Sequence, residues 1–123
     1  MIKLQLSVFL LVLSTAGLDG ATLKAIFPPG VKTIGPYSPG MVAGDYLYVS
    51  GQSAKRADGT YPSEPAEQAR QCLSNIKNIV DAAGFSMAGV VYTQIYVKNP
   101  AVFAAVEKAW SDYFPSDGPA HNA

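Results

Sequence analysis

The sequence predicts an α+β domain, with helices laid on one face of a β-sheet. Three observations point there. Two β-type runs flank Gly44-Asp45, an apolar stripe at helical spacing runs through residues 63–84, and a β-branched, aromatic run at Val90–Val97 leads into a second helical pattern. The order is therefore hairpin, helix, strand, helix.

Each element has its own local reason. Phe27-Pro28-Pro29-Gly30 is a loop, since consecutive prolines forbid a helix and withhold ladder donors. Gly35-Pro36-Tyr37-Ser38-Pro39-Gly40 is a second turn-rich segment. Met41-Val42-Ala43 and Tyr46-Leu47-Tyr48-Val49-Ser50 make a tight hairpin, with Gly44 supplying a positive φ. Residues 57–62 form a polar loop around Asp58-Gly59.

The first helix spans Ser63 to Gly84. Ser63 can cap it, Pro65 is tolerated in the first turn, and Glu64 and Glu67 suit the positive end of the helix dipole. Ala69, Leu73, Ile76, Val80 and Ala83 form one apolar stripe, and Gly84 is a natural stop. The strand Val90–Val97 follows from its β-branched and aromatic content. Asn99 then caps a second helix with Pro100 at its first position, carrying Phe103, Val106, Trp110 and Tyr113 and ending at Pro115. The tail from Ser116 to Ala123 is rich in Gly, Pro, Asp and Asn and shows no strand pattern. A helix with that apolar stripe normally leads to a further strand, so the domain is expected to stop one step early.

The chain has 123 residues, enough for one domain, and its nine basic residues balance nine acidic ones. Without a basic block, a nucleic-acid partner has no electrostatic footprint. One cysteine, Cys72, excludes an intrachain disulfide framework and a multi-cysteine zinc site; it is read as a small buried hydrophobe. One histidine, His121, excludes a His-rich metal site. At the N-terminus, Lys3 precedes the apolar run Leu4–Leu13 and the small residues Ser14-Thr15-Ala16-Gly17, the parts of a secretory signal peptide. The run is short for a membrane span, which needs about 20 apolar residues. Residues 1–17 are therefore read as a signal, with cleavage after Ala16 or Gly17, no membrane anchor after its removal and a periplasmic or secreted product. The alternative is an apolar N-terminal strand or helix.

Several motifs in order carry a resemblance. Ile34-Gly35-Pro36-Tyr37, Gly44-Asp45-Tyr46-Leu47-Tyr48-Val49-Ser50-Gly51-Gln52, Gln68-Ala69-Arg70-Gln71, Asn75-Ile76-Lys77, Ala82-Ala83-Gly84, Val97-Lys98 and the Phe103–Phe114 helix together resemble the reactive intermediate deaminase (RidA, YjgF-type) family. The match runs over about residues 32–120. The resemblance implies a chorismate-mutase-like fold and a homotrimer with clefts between subunits. It makes residues 22–123 a RidA-like domain whose final strands are missing. It also implies hydrolysis of enamines and imines, such as 2-aminoacrylate, to 2-keto acids and ammonia, with no cofactor and no metal. Some members have been called endoribonucleases or translation inhibitors.

The resemblance carries over to the site unevenly. An imine substrate bearing a carboxylate suits a guanidinium fork, which binds and orients it through two bonds. In the family an arginine after the second helix, in a Pro-Ala-Arg motif, does this; here the segment reads Pro119-Ala120-His121. His121 is the catalytic candidate at that position, or else a tail histidine without a role. Tyr37 matches the cleft tyrosine of the Gly-Pro-Tyr motif, or is a structural turn aromatic. Ser50 and Gly51 match the Ser-Gly where backbone approaches ligand, although a glycine ending a strand can be only a bend. Glu107 stands where many active members have asparagine, and an acid there would repel a carboxylate ligand. Its alternative is a solvated acid on the helix face. A family glutamate on the last strand finds no counterpart.

Family members often continue as Pro-Ala-Arg-Thr-Thr. A slip in reading frame within Arg-Thr-Thr codons yields His-Asn and then a G-starting codon, matching His121-Asn122-Ala123. Three functions are expected as alternatives: an exported imine deaminase, a binding module for a small imine-like or keto-acid-like ligand, and a fragment without function.

Overall fold

The computed structural model describes residues 22–122, and the expected signal segment 1–17 lies outside them. Strand β1 (Leu23–Ile26), β2 (Gly40–Ala43) and β3 (Tyr46–Val49) form an antiparallel sheet in the order β1-β2-β3. Helix α1 (Pro65–Ala82) comes next, then β4 (Tyr92–Gln94), helix α2 (Phe103–Tyr113) and β5 (Ala120–Asn122), with β4 and β5 pairing as a second sheet. The α+β class stands, but the expected single sheet is two among the described residues.

The hairpin forms where Gly44-Asp45 puts it. Ala43 pairs with Tyr46, and Gly44 takes φ 57°, the positive value a two-residue turn requires there. Strand β1 is not legible in the sequence: three of its four residues are exposed, so alternation gives no signal. Its place is set by pairing with β2, which brings Ile26 opposite Gly40.

The first helix starts later than Ser63. Glu64 occupies the N-cap position without a side-chain cap, and Pro65 begins the helix. Instead of a hydroxyl cap, the Gln68 amide reaches back to donate to the carbonyls of Pro62 at 2.9 Å and Ser63 at 3.4 Å. The C-terminal end agrees with expectation. Gly84 takes φ 77°, its N–H donates to the Asp81 carbonyl, and Phe85 donates to Val80, the paired bonds of a Schellman ending.

Packing modifies the stripe. Leu73 and Val80 are buried, but Ile79, left out of it, is more so at 2% exposed. Ile79 faces β2, where a Cβ on Gly40 would lie 2.7 Å from its Cγ2, so glycine lets helix and strand touch. The apolar arc of α1 is wide because it meets two surfaces, the β1–β3 sheet and α2. At the helix pair Ala109 is fully buried, and the Arg70 guanidinium binds both Glu67 and, at 2.9 Å, Asp112 of α2. The Tyr113 hydroxyl donates to the Arg70 carbonyl at 3.4 Å.

Cys72 is half-buried, and burial pushes its thiol up from the ordinary value of 9.0. The unfolded chain therefore releases this proton first. The contribution to stability is present below about pH 9 and is lost as pH rises through the raised folded value. Urea midpoints measured at pH 8, 9 and 10 should fall more steeply for the native chain than for Cys72→Ser; equal slopes would refute this.

The second half carries two differences from expectation. Strand β4 covers only Tyr92–Gln94 of the expected Val90–Val97, since Val90 closes a 3-10 turn over Met87–Gly89. Asn99 does cap the next segment, its Oδ1 accepting from Ala101 N–H at 3.0 Å, but Pro100–Val102 is a 3-10 turn before α2 begins. The tail is not strandless: β5 runs parallel to β4, with Thr93 opposite His121. Ile95 N–H donates to the Asn122 carbonyl at 2.7 Å, and Ala120 N–H to the Val91 carbonyl at 3.2 Å. All three β5 residues are exposed, so the strand exists through backbone pairing that side-chain alternation does not encode. Among the described residues no helix is long and apolar enough to cross a membrane.

Candidate functional site

The candidate residues fall into two groups. The first lies where β3 ends against the turn before β2. Ser50 N–H donates to the Pro39 carbonyl at 2.8 Å, and Ser50 Oγ donates to the Ser38 carbonyl at 2.6 Å. These bonds clip the strand exit to the turn that carries Tyr37, whose N–H donates to the Gly35 carbonyl at 2.9 Å. The Tyr37 side chain is thus held at its base yet 53% of the residue is exposed, so the ring is available to a ligand. Gly51 is exposed, and a Cβ there would meet nothing within 4 Å. The backbone at Gly51 can be approached closely.

The second group forms between α2 and the β4–β5 pair. His121 Nε2 lies 3.6 Å from Glu107 Oε1, and the imidazole stands edge-on to Trp110 with ring centres 5.3 Å apart. Trp110 in turn leans on Phe114 at 4.8 Å. The two side chains of the pair are 32% and 41% exposed, half in the protein and half open. Glu107 Oε1 and Thr93 Oγ1 are nevertheless buried without a hydrogen-bond partner. Unsatisfied buried oxygens are uncommon and costly, and they mark a place where a donor is wanted. Glu107 thus has one covered carboxylate oxygen on a side chain that stays 41% exposed, and backbone pairing places His121 opposite Thr93.

Chemically the two groups differ. The first offers an aromatic face, a clipped hydroxyl and open backbone, all suited to flanking a small ligand. The second offers an imidazole, a carboxylate and a hydroxyl, groups that move protons and accept hydrogen bonds but do not clamp an anion. Among the described residues no hydrogen bond or ion pair joins the groups, and no group of three His, Cys, Asp or Glu side chains could hold a metal. Thr93 and Trp110 were not among the candidates from sequence. Thr93 had one available signal, a hydroxyl at every-second-residue spacing among apolar strand positions. Trp110 had none, since a tryptophan in a helical stripe reads as core.

Comparisons with known proteins agree with this architecture. The family model described as Endoribonuclease L-PSP matches residues 29–123. The structure of the YjgF gene product from E. coli is similar at 35% identity and TM-score 0.75, covering 80% of this chain and 82% of that one. RidA from the Antarctic bacterium Psychrobacter superposes with TM-score 0.75 at 26% identity, over 81% and 83% of the two chains. A Rid-family protein of unknown function from Yersinia pestis gives 0.76 and 30%, over 81% and 82%.

Proposed function

Since this chain belongs to the endoribonuclease L-PSP family, which takes in the YjgF and RidA proteins, we propose that it binds a small imine or keto-acid-like ligand and is a weak enamine and imine deaminase. The observation that carries this is the pair of His121 and Glu107 at 3.6 Å, standing where the resemblance implies a carboxylate-clamping arginine. In the reaction, water oxygen adds to the imine carbon, the carbon–nitrogen bond breaks, and nitrogen leaves as ammonia while a 2-keto acid forms. A proton must leave the water and one must reach the nitrogen. His121 supplies a group able to accept and return a proton; its ring rests edge-on against Trp110, with the Glu107 carboxylate 3.6 Å from Nε2 and not hydrogen-bonded to it. What the pair lacks is the two-pronged positive charge that fixes the substrate carboxylate, and Glu107 adds a repulsive one.

The same observation favours a second reading, a binding module without turnover. Both include a homotrimer with its ligand between subunits, exported with its first 16 or 17 residues removed. The neutral net charge and the lack of a basic block weigh against an RNA substrate.

Ammonia release from enzymatically generated 2-aminoacrylate, together with pyruvate binding by calorimetry, tests the proposal. We expect pyruvate to bind and ammonia release to be accelerated, but well below the rate of an arginine-bearing member. Binding without any acceleration selects the module; no binding and no acceleration would sink the proposal; a rate equal to that of an arginine-bearing member would show that the fork is dispensable.

A further inference from the structure

Asparagine is a poor helix former, because its amide competes for backbone hydrogen bonds, yet Asn75 sits in the middle of α1. Its side chain has left the helix surface for a tertiary task. Asn75 Nδ2 donates to the carbonyls of Ser53 and Lys55, both at 2.9 Å, and Gln71 Nε2 donates to Asn75 Oδ1 at 2.9 Å. Only the NH2 group can serve two carbonyls, so the partners fix which way the amide points. Between the two bonded carbonyls lies Ala54, buried at 7% exposure, which plugs the segment into the core. The loop leaving β3 is thereby fastened at three consecutive residues.

That loop begins at the first group of site residues. Gln52 Nε2 donates to the Ser50 carbonyl at 3.0 Å, and Ser50 is clipped to Ser38 and Pro39 beside Tyr37. Asn75 therefore holds the chain at Ser53 and Lys55, and the residue just before Ser53, Gln52, bonds back to Ser50, leaving Gly51 open between fastened neighbours. We infer that Asn75 is a positioning residue, which holds the Ser50-Gly51 backbone in the place a ligand uses. The role rests on the proposed ligand binding for what occupies the site.

The test uses the full-length protein with Asn75→Ala and Gln71→Ala, the second leaving Asn75 in place but unbraced should the first fold poorly. Amide hydrogen exchange over the whole chain and pyruvate affinity are measured on each. Asn75→Ala should speed exchange at residues 50–56 while the amides of Leu73 and Ala109 keep their protection. It should weaken pyruvate binding about tenfold, the scale of one or two lost neutral hydrogen bonds. Gln71→Ala should do the same to a smaller extent. Unchanged pyruvate affinity, or exchange that rises across α1 and the sheet alike, would overturn the inference, because a residue with only a structural role behaves so. If the native protein does not bind pyruvate, the functional proposal has failed, and exchange at Ser50 and Gly51 alone decides: faster supports the positioning role, unchanged overturns it.

Discussion

Replacing His121 by arginine and Glu107 by asparagine together should raise ammonia release from 2-aminoacrylate about 10- to 100-fold. The magnitude comes from the chemistry of the clamp: hydrogen bonds to a charged group contribute about 1.5–3 kcal/mol, and each 1.36 kcal/mol is a tenfold rate. Both changes are needed. With Glu107 retained beside position 121, where it now lies 3.6 Å from the imidazole, a new guanidinium would pair with that carboxylate rather than with substrate. His121→Arg alone is thus expected to gain severalfold at most, and Glu107→Asn alone to gain little, since it removes repulsion without adding a fork. The gain should show mainly in KM, with a smaller part in kcat from better orientation of the imine. A folded double variant no faster than the native chain would show that the carboxylate clamp is not what limits this protein.

Gly40→Ala should destabilise the fold by about 1–3 kcal/mol, the usual cost of an added carbon in a tight core. The methyl would stand 2.7 Å from Ile79 Cγ2, 3.3 Å from Leu47 Cδ1 and 3.4 Å from Ile26 Cβ, and the Ile79 and Leu47 side chains are already packed. Ile79→Ala, at 2% exposure, should cost about 2–5 kcal/mol through the cavity it leaves. The informative variant is the double. Truncating Ile79 removes the atom with which the new methyl collides, so the two losses should fall short of adding by about 0.5–3 kcal/mol. Urea unfolding of the four proteins measures this; strict additivity would mean that Gly40 and Ile79 do not meet as described.

These two predictions differ in what reveals them. The arginine position could be located by the motif Pro119-Ala120-His121 and Glu107 by its place in the second helix of the resembled family, but the approach of the two side chains to 3.6 Å could not, since they lie on different elements. The contact of Gly40 with Ile79 had no signal in either segment. Gly40 comes after a proline in a turn-rich stretch, and Ile79 sits one position off the stripe that spacing selects. Tyr37 and the Ser50-Gly51 pair were each legible from a contiguous motif, but the bonds that clip Ser50 to the turn carrying Tyr37 were not. Asn75 was legible as part of a motif but not as a latch, because its partners are backbone carbonyls of another segment, and a carbonyl has no sequence signature.

What the sequence by itself determined is what neighbours along the chain can enforce. The hairpin at Gly44-Asp45, the Gly84 stop of α1, the Asn99 cap and the order hairpin, helix, strand, helix all depend on steric limits and hydrogen bonds within a few residues. The tertiary structure alone decided which surfaces meet. It paired β1 with β2 and turned a polar tail into a strand beside β4. It buried Ile79 under Gly40, covered one oxygen of Glu107 with His121, and fastened the loop after β3 to α1. Each of these is a contact between segments far apart in the chain, chosen by how well whole surfaces fit and by which backbone groups would otherwise lack a partner.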